Sequence, residues 1–279
     1  MKIRVISGTV FVAIITGFFL LREFVDARLF SILLWFFSAV GAFEMARAGI
    51  SRTGKAVAII STILGSLVLP AFCIIEYFVK QGYGVLFAGI VMLLTLLINV
   101  VILSQNKTRK SNYVFAVLDA IYPSIFIVVM LLINSLAGVK GFVAMLLTFV
   151  IAPFSDTFAY FVGGLLKGPK LCPKLSPKKT WSGAIGGTLG GALGSVLVFL
   201  IFGKTLGGNF TWLAFLVLGL FTAVATIIGD LFESAIKRKL GIKDMGKIMP
   251  GHGGVLDRID GITFASVVIY IFFIVLNIL

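Results

Sequence analysis

The chain alternates long apolar runs with short polar breaks, and the length of the runs is that of a membrane crossing. A helical span needs about 20 apolar residues, within a range of roughly 17–25. Such runs fall near 5–21, 29–46, 56–79, 84–104, 113–136, 141–165, 183–203, 211–231 and 261–279. This predicts an all-α polytopic integral membrane protein with about nine transmembrane helices, because only helices satisfy their own backbone polar groups span by span. Residues 1–140 hold the first five spans, and 141–279 hold the remainder with two polar motif loops, in one membrane unit without a soluble domain. The first run resembles a signal peptide in length. No small-residue cleavage site precedes Arg22-Glu23, so an uncleaved first span is expected.

One polar break stands apart. Residues 229–260 hold six of the 24 Lys and Arg, five of the 11 acids and the only histidine. On a helix continuing span eight, Asp230, Glu233, Ser234, Lys237 and Arg238 recur at i, i+3, i+4, i+7 and i+8 and share a face. A helix over 211–239 would be roughly 43 Å long against a hydrocarbon core of about 30 Å, so its polar end projects beyond the bilayer. Pro250-Gly251-His252-Gly253-Gly254 follows, with glycines that permit the turns and close approaches a phosphate-cradling loop requires. Asp257 and Asp260, three apart at the start of the last span, share a face and are hard oxygen ligands suited to Mg²⁺. The stretch therefore offers carboxylates for a metal, cations for phosphates and a glycine loop between them.

The second motif loop, 167–179, is basic and interrupted by Pro169, Pro173 and Pro177. Lys167, Lys170 and Lys174 are read as anchors to anionic headgroups, each worth about 1 kcal/mol near the surface. Lys178 and Lys179, set between Ser176-Pro177 and Thr180-Trp181, are read as holding phosphates, with Ser176 and Thr180 adding hydroxyls.

Composition agrees with the hydropathy pattern. Hydrophobic residues make up 59% and charged residues 13%, against about a quarter charged in soluble domains, and mean hydropathy is +1.13. The net charge of +13 would suggest nucleic acid for a soluble protein, but its distribution excludes that reading. The N-terminus and the loops after spans two, four, six and eight carry 19 Lys and Arg, and the other loops carry 5. By the positive-inside rule the N-terminus and both motif loops are cytoplasmic and the C-terminus is outside. Cys73 and Cys172 form neither a disulfide framework nor a zinc site.

Four acids fall inside spans, where a carboxylate costs on the order of 3 kcal/mol. Glu44 and Glu76 lie near span ends and are read as interfacial. Asp119, beside Tyr122-Pro123, faces a polar cavity or pairs with a neighbour, and the sequence leaves both open. Asp156 follows Pro153, whose expected kink would free carbonyls to line a cavity. In span seven, Gly183, Gly187 and Gly191 form one ribbon at four-residue spacing and Gly186, Gly190 and Gly194 a second. Both are packing surfaces, taken up within the chain or by a second subunit of a homodimer.

Ser234, Lys237-Arg238, Lys243-Asp244, Gly246, Pro250, His252-Gly253-Gly254, Asp257-Arg258 and Asp260 match in order and spacing the signature of the phosphatidate cytidylyltransferases, the CDP-diacylglycerol synthases. Met249 departs from the usual Leu, Ile or Phe, an apolar exchange. Asp156-Thr157-Phe158-Ala159-Tyr160 and Ser176-Pro177-Lys178-Lys179-Thr180-Trp181 resemble a second segment of that family, with Ser182 where a longer polar residue is usual. The motifs cover the C-terminal half.

The resemblance implies transfer of a cytidylyl group from CTP to phosphatidic acid, giving CDP-diacylglycerol and pyrophosphate, in a bacterial inner membrane with the site facing the cytoplasm. It implies one or more Mg²⁺ ions on Asp230 and Asp257, with Asp260 assisting and Asp156 in the same cavity. Lys178, Lys179, Lys237, Arg238, Lys243 and Arg258 become candidate phosphate contacts. Ser234 joins them through its place in the signature, and His252 with Gly253 and Gly254 shapes the loop. The competing readings are a CTP-dependent polyprenol or phytol kinase and a transporter of an anionic substrate.

Overall fold

The computed structural model describes residues 2–80, 82–106, 109–207 and 210–278. Among these residues nine helices are long and apolar enough to cross a membrane, from Val5–Phe24 to Leu256–Leu276. The protein is an all-α polytopic membrane protein, as the run lengths predict. The chain forms two compact units, residues 1–131 with 240–258, and residues 132–239 with 259–279.

In the first unit, α1 (Lys2–Phe24) is followed by α2 (Phe30–Thr53), α3 (Lys55–Ile74), α4 (Gly84–Gln105), α5 (Lys110–Ile121) and most of α6 (Ser124–Asn134). α2 packs on α3 and α5, and α4 packs on α3 and α5. A Cβ at Gly65 would sit 2.8 Å from Ala42 Cβ, so α2 and α3 approach through small residues. Span five is split into α5 and α6 because Pro123 has no N–H to continue the ladder. Asp119, on α5, is 4% exposed, and among the described residues neither of its oxygens has a hydrogen-bond partner. Glu76 lies in a π-helical turn, Ile75–Val79, and accepts from the amides of Gly82 and Gly84 at 3.0 Å, tying the turn beyond its own helix.

In the second unit, α7 (Gly138–Leu166) leads through two short strands, β1 (Lys170–Cys172) and β2 (Ser176–Thr180), into α8 (Trp181–Leu206) and α9 (Trp212–Leu240), and most of α10 (Leu256–Ile278) closes it. β1 and β2 pair antiparallel, with Lys170 opposite Thr180 and Cys172 opposite Ser176. This hairpin is an addition to the expected helices. Pro169, Pro173 and Pro177 forbid a helix there, and the two strands supply the backbone pairing that a helix would have given.

Both glycine ribbons of α8 are taken up by α7. A Cβ at Gly183 or Gly187 would stand 2.9 Å from the carbonyl oxygens of Ala159 and Ser155 respectively, and one at Gly194 would stand 3.0 Å from the Phe154 ring. Gly191 also faces α9, where its Cβ would lie 2.6 Å from that of Ala223. The opposite face of α8 presents Ile185, Leu189, Leu193 and Leu197, all exposed at four-residue spacing, as a lipid-facing stripe would be. α9 and α10 also meet without spacers, since a Cβ at Gly229 would be 2.6 Å from the Asp260 carbonyl oxygen.

Candidate active site

α9 runs unbroken from the apolar span into its polar end, so the expected face of Asp230, Glu233, Ser234, Lys237 and Arg238 exists. Asp230 Oδ2 lies 2.6 Å from Lys179 Nζ of β2, and its Oδ1 accepts from the Ser234 hydroxyl at 3.3 Å. One turn on, Lys237 Nζ donates to Glu233 Oε1 at 3.0 Å, with Glu233 fully buried. A buried carboxylate needs such a partner, and the i, i+4 spacing supplies it from the same helix. Arg238 Nε donates to the Leu175 carbonyl at 3.3 Å, which ties the turn of the hairpin to the end of α9.

The hairpin positions its lysines through its own ends. Thr180 Oγ1 accepts from the Gly183 amide at 3.1 Å and is the N-cap of α8, so this hydroxyl has a structural task beside any substrate contact. The Ser182 hydroxyl donates to the Lys167 carbonyl. Between α7, the hairpin and α9 lies a cavity of about 620 Å³, within the roughly 300–1,000 Å³ of small-molecule sites. The charged residues of its wall are Asp156, Lys167, Lys170, Lys178, Lys179 and Asp230, and Thr180 and Tyr160 also line it. Two of these, Lys167 and Lys170, were read as membrane anchors. Asp260 shares its electrostatic surroundings with Asp230, Asp156 and Lys237, and its Oδ1 accepts from the Gly261 amide at 2.8 Å. Ser176 is half-buried on β2.

The glycine loop belongs to the first unit. Met249 and Gly253 exchange backbone hydrogen bonds at 2.9 and 3.1 Å, with Gly251 at φ 77° and Gly253 at φ 90°, conformations that a side chain would strain. His252 Nδ1 lies 2.7 Å from Ser7 Oγ of α1, and that hydroxyl donates to the Pro250 carbonyl at 3.0 Å. A hydroxyl has one proton to give, so His252 Nδ1 carries the hydrogen toward Ser7. Asp257, in the first turn of α10, is buried, and its Oδ2 accepts from the amides of Met245 at 2.8 Å and Gly254 at 2.9 Å. Lys243 and Arg258 are exposed.

Glu44 corrects the sequence reading. It is 1% exposed rather than interfacial, and its two oxygens accept from the amides of Val255 at 3.1 Å and Leu256 at 2.9 Å. Its position at the same end of α2 as the motif loops was a usable signal. Ser7 gave none beyond the need of a lone histidine for a partner, and Glu233 was placed on the right face without a role.

Of the three expected metal ligands, Asp230 and Asp260 lie in the second unit and Asp257 in the first. Among the described residues no three Asp, Glu, His or Cys side chains converge as a metal cluster. The donors at hand are carboxylate oxygens, the type Mg²⁺ prefers, and Mg²⁺ commonly takes only one or two of them, completing its shell with water and substrate phosphates.

Fold and site together define a polytopic helical membrane protein with a cavity of mixed carboxylates and lysines. Residues 2–276 match the model of the cytidylyltransferase family, and the chain belongs to that family. It is 44% identical over 132 residues to a phosphatidate cytidylyltransferase of Brucella abortus, a stretch covering 47% of each chain. It is 55% identical over 64 residues to one of Helicobacter pylori, 23% of each chain. The corresponding figures for Thermotoga maritima are 56% over 55 residues and 20% of each chain. The matched stretch thus spans about half the length of the Brucella protein, and less of the others.

Proposed function

We propose that the chain transfers the cytidylyl group of CTP to phosphatidic acid. A phosphate oxygen of phosphatidic acid attacks the α-phosphorus of CTP, the bond from that phosphorus to the β-phosphate oxygen breaks, and CDP-diacylglycerol and pyrophosphate result. The observation that carries this reading is the cavity lined by Asp156, Lys178, Lys179 and Asp230, in a chain of the cytidylyltransferase family.

The protein's task is to bring mutually repelling phosphates into line, which is positioning and charge compensation rather than proton transfer. The attacking phosphate is ionised at neutral pH, so no general base is required. Lys179 and Lys178 hold phosphate oxygens, with Lys179 exchanging its contact to Asp230 for one to substrate. Arg238 at the hairpin turn, Lys243 and Arg258 are further phosphate contacts, and Lys237, held by Glu233, offsets the charge of Asp260. His252, held at Nδ1 by Ser7, shapes the glycine loop and is a further candidate phosphate contact. Asp230 and Asp260 of the second unit and, separately, Asp257 of the first are the carboxylates that would ligate Mg²⁺, which when bound would polarise the phosphoryl oxygens and compensate charge on the leaving group.

The basic loops support an active site facing the cytoplasm, and bacterial relatives support a bacterial inner membrane. The glycine ribbons of α8, which raised the option of a homodimer, are used inside the chain. The test is to supply cytidine-labelled CTP to membranes containing the protein, with and without added phosphatidic acid. Phosphatidate-dependent label in the lipid fraction supports the reading. A CTP-dependent kinase leaves that fraction free of cytidine, and a transporter leaves the CTP intact.

A further inference from the structure

Glu44 lies 211 residues before the amide that it receives, and it explains two features of the glycine loop at once. A Cβ at Gly254 would lie 2.5 Å from both Glu44 oxygens, and one at Gly246 would come closer still to Oε1. Both glycines are needed because the carboxylate occupies the space that a side chain would fill. Its oxygens take the amides of Val255 and Leu256, at the point where the chain enters α10 and the helix leaves amides without partners of its own. A carboxylate there also complements the positive end of the helix dipole. Asp257 grips the same loop from the other side, through the amides of Gly254 and Met245. The two carboxylates hold four backbone amides, which fixes both the loop and the register at which α10 begins.

We infer that Glu44 is a positioning residue for the reaction: it sets the orientation of Asp257 and of His252-Gly253-Gly254 without touching substrate. This deepens the proposed function and rests on it. The side chain must accept on both of its terminal atoms at once, which a carboxylate does and an amide, with one oxygen and one NH₂, does not.

The test uses the full-length protein in detergent or lipid, comparing wild type with Glu44→Gln, Glu44→Asp and Gly254→Ala, the last pressing on the carboxylate from the loop side. Hydrogen exchange over residues 245–257 is measured without metal or substrate, alongside kcat, the KM for CTP and the thermal midpoint. Glu44→Gln is expected to speed exchange in that segment by about tenfold or more and to lower kcat by about tenfold or more, with KM for CTP within about threefold. Glu44→Asp should recover part of both losses, since one oxygen still reaches an amide. Gly254→Ala should reproduce the Gln phenotype, and it decides the matter if Glu44→Gln does not fold. Faster exchange with unchanged kcat would make Glu44 only a cap, and unchanged exchange would remove the clamp itself. Wild-type protein that makes no CDP-diacylglycerol would instead contradict the functional reading, while the exchange result still decides the clamp.

Discussion

Lys179 Nζ lies 2.6 Å from Asp230 Oδ2, and both side chains line one cavity while remaining partly open to solvent. Ion pairs of that exposure contribute only about 0–1 kcal/mol to stability. Lys179→Gln should therefore shift the thermal midpoint by only a few degrees. It should lower CDP-diacylglycerol formation by at least about tenfold, roughly 1.4 kcal/mol of transition-state stabilisation. Turnover and melting measured on one preparation check this. A large fall in the midpoint with turnover preserved would make the pair structural.

The packing of α7 on α8 predicts an opposite pattern. Gly187→Ala places a methyl group 2.9 Å from the Ser155 carbonyl oxygen, with Ala159 Cβ only 3.0 Å away. Overpacking of this kind typically costs about 1–3 kcal/mol. The variant should melt earlier, and its kcat per folded molecule should stay near wild type at low temperature. An unchanged midpoint would mean that the two helices do not meet through this glycine.

How much of this was legible in the sequence depended on distance along the chain. The spans were readable because an apolar run of membrane length has few alternatives, and the polar face of α9 was readable because Asp230 to Arg238 lie within one helix. The α8 ribbons could be seen, but their partner could not, since spacing says that backbones approach and not which ones. The hairpin was missed because three- and five-residue strands broken by prolines carry no period to detect. Glu44 was misread for a different reason: its meaning lies in amides of Val255 and Leu256, and a backbone amide has no signature in sequence.

Topology can be checked with thiols. The 19-to-5 division of basic residues predicts that Cys172 is on the cytoplasmic side. In intact cells it should resist a membrane-impermeant thiol reagent and react after lysis, whereas a cysteine appended after Leu279 should react from outside. Labelling of Cys172 in intact cells would overturn this orientation.

The metal proposal makes a prediction about order of binding. With no ready cluster of three ligands among the described residues, Mg²⁺ alone should bind weakly, and CTP should tighten its binding by supplying phosphate oxygens. Calorimetric titration of Mg²⁺ with and without CTP measures this. Chelation should abolish turnover and Mg²⁺ should restore it. In Asp257→Asn the amide oxygen can still accept from Met245 and Gly254, so the fold should survive, while activity should fall by about 10³-fold or more, roughly 4 kcal/mol. Full turnover of this variant in excess chelator would remove the metal from Asp257.

The most direct test of the account follows both ends of the nucleotide in one reaction. Purified protein in vesicles containing phosphatidic acid is given Mg²⁺ and CTP labelled separately in the cytidine and in the γ-phosphate. Cytidylyl transfer predicts that cytidine label enters the lipid, that the γ label appears only as pyrophosphate, and that the two are formed in equal amounts. γ-Phosphate label in the lipid, or CDP released without cytidine in the lipid, would contradict the account.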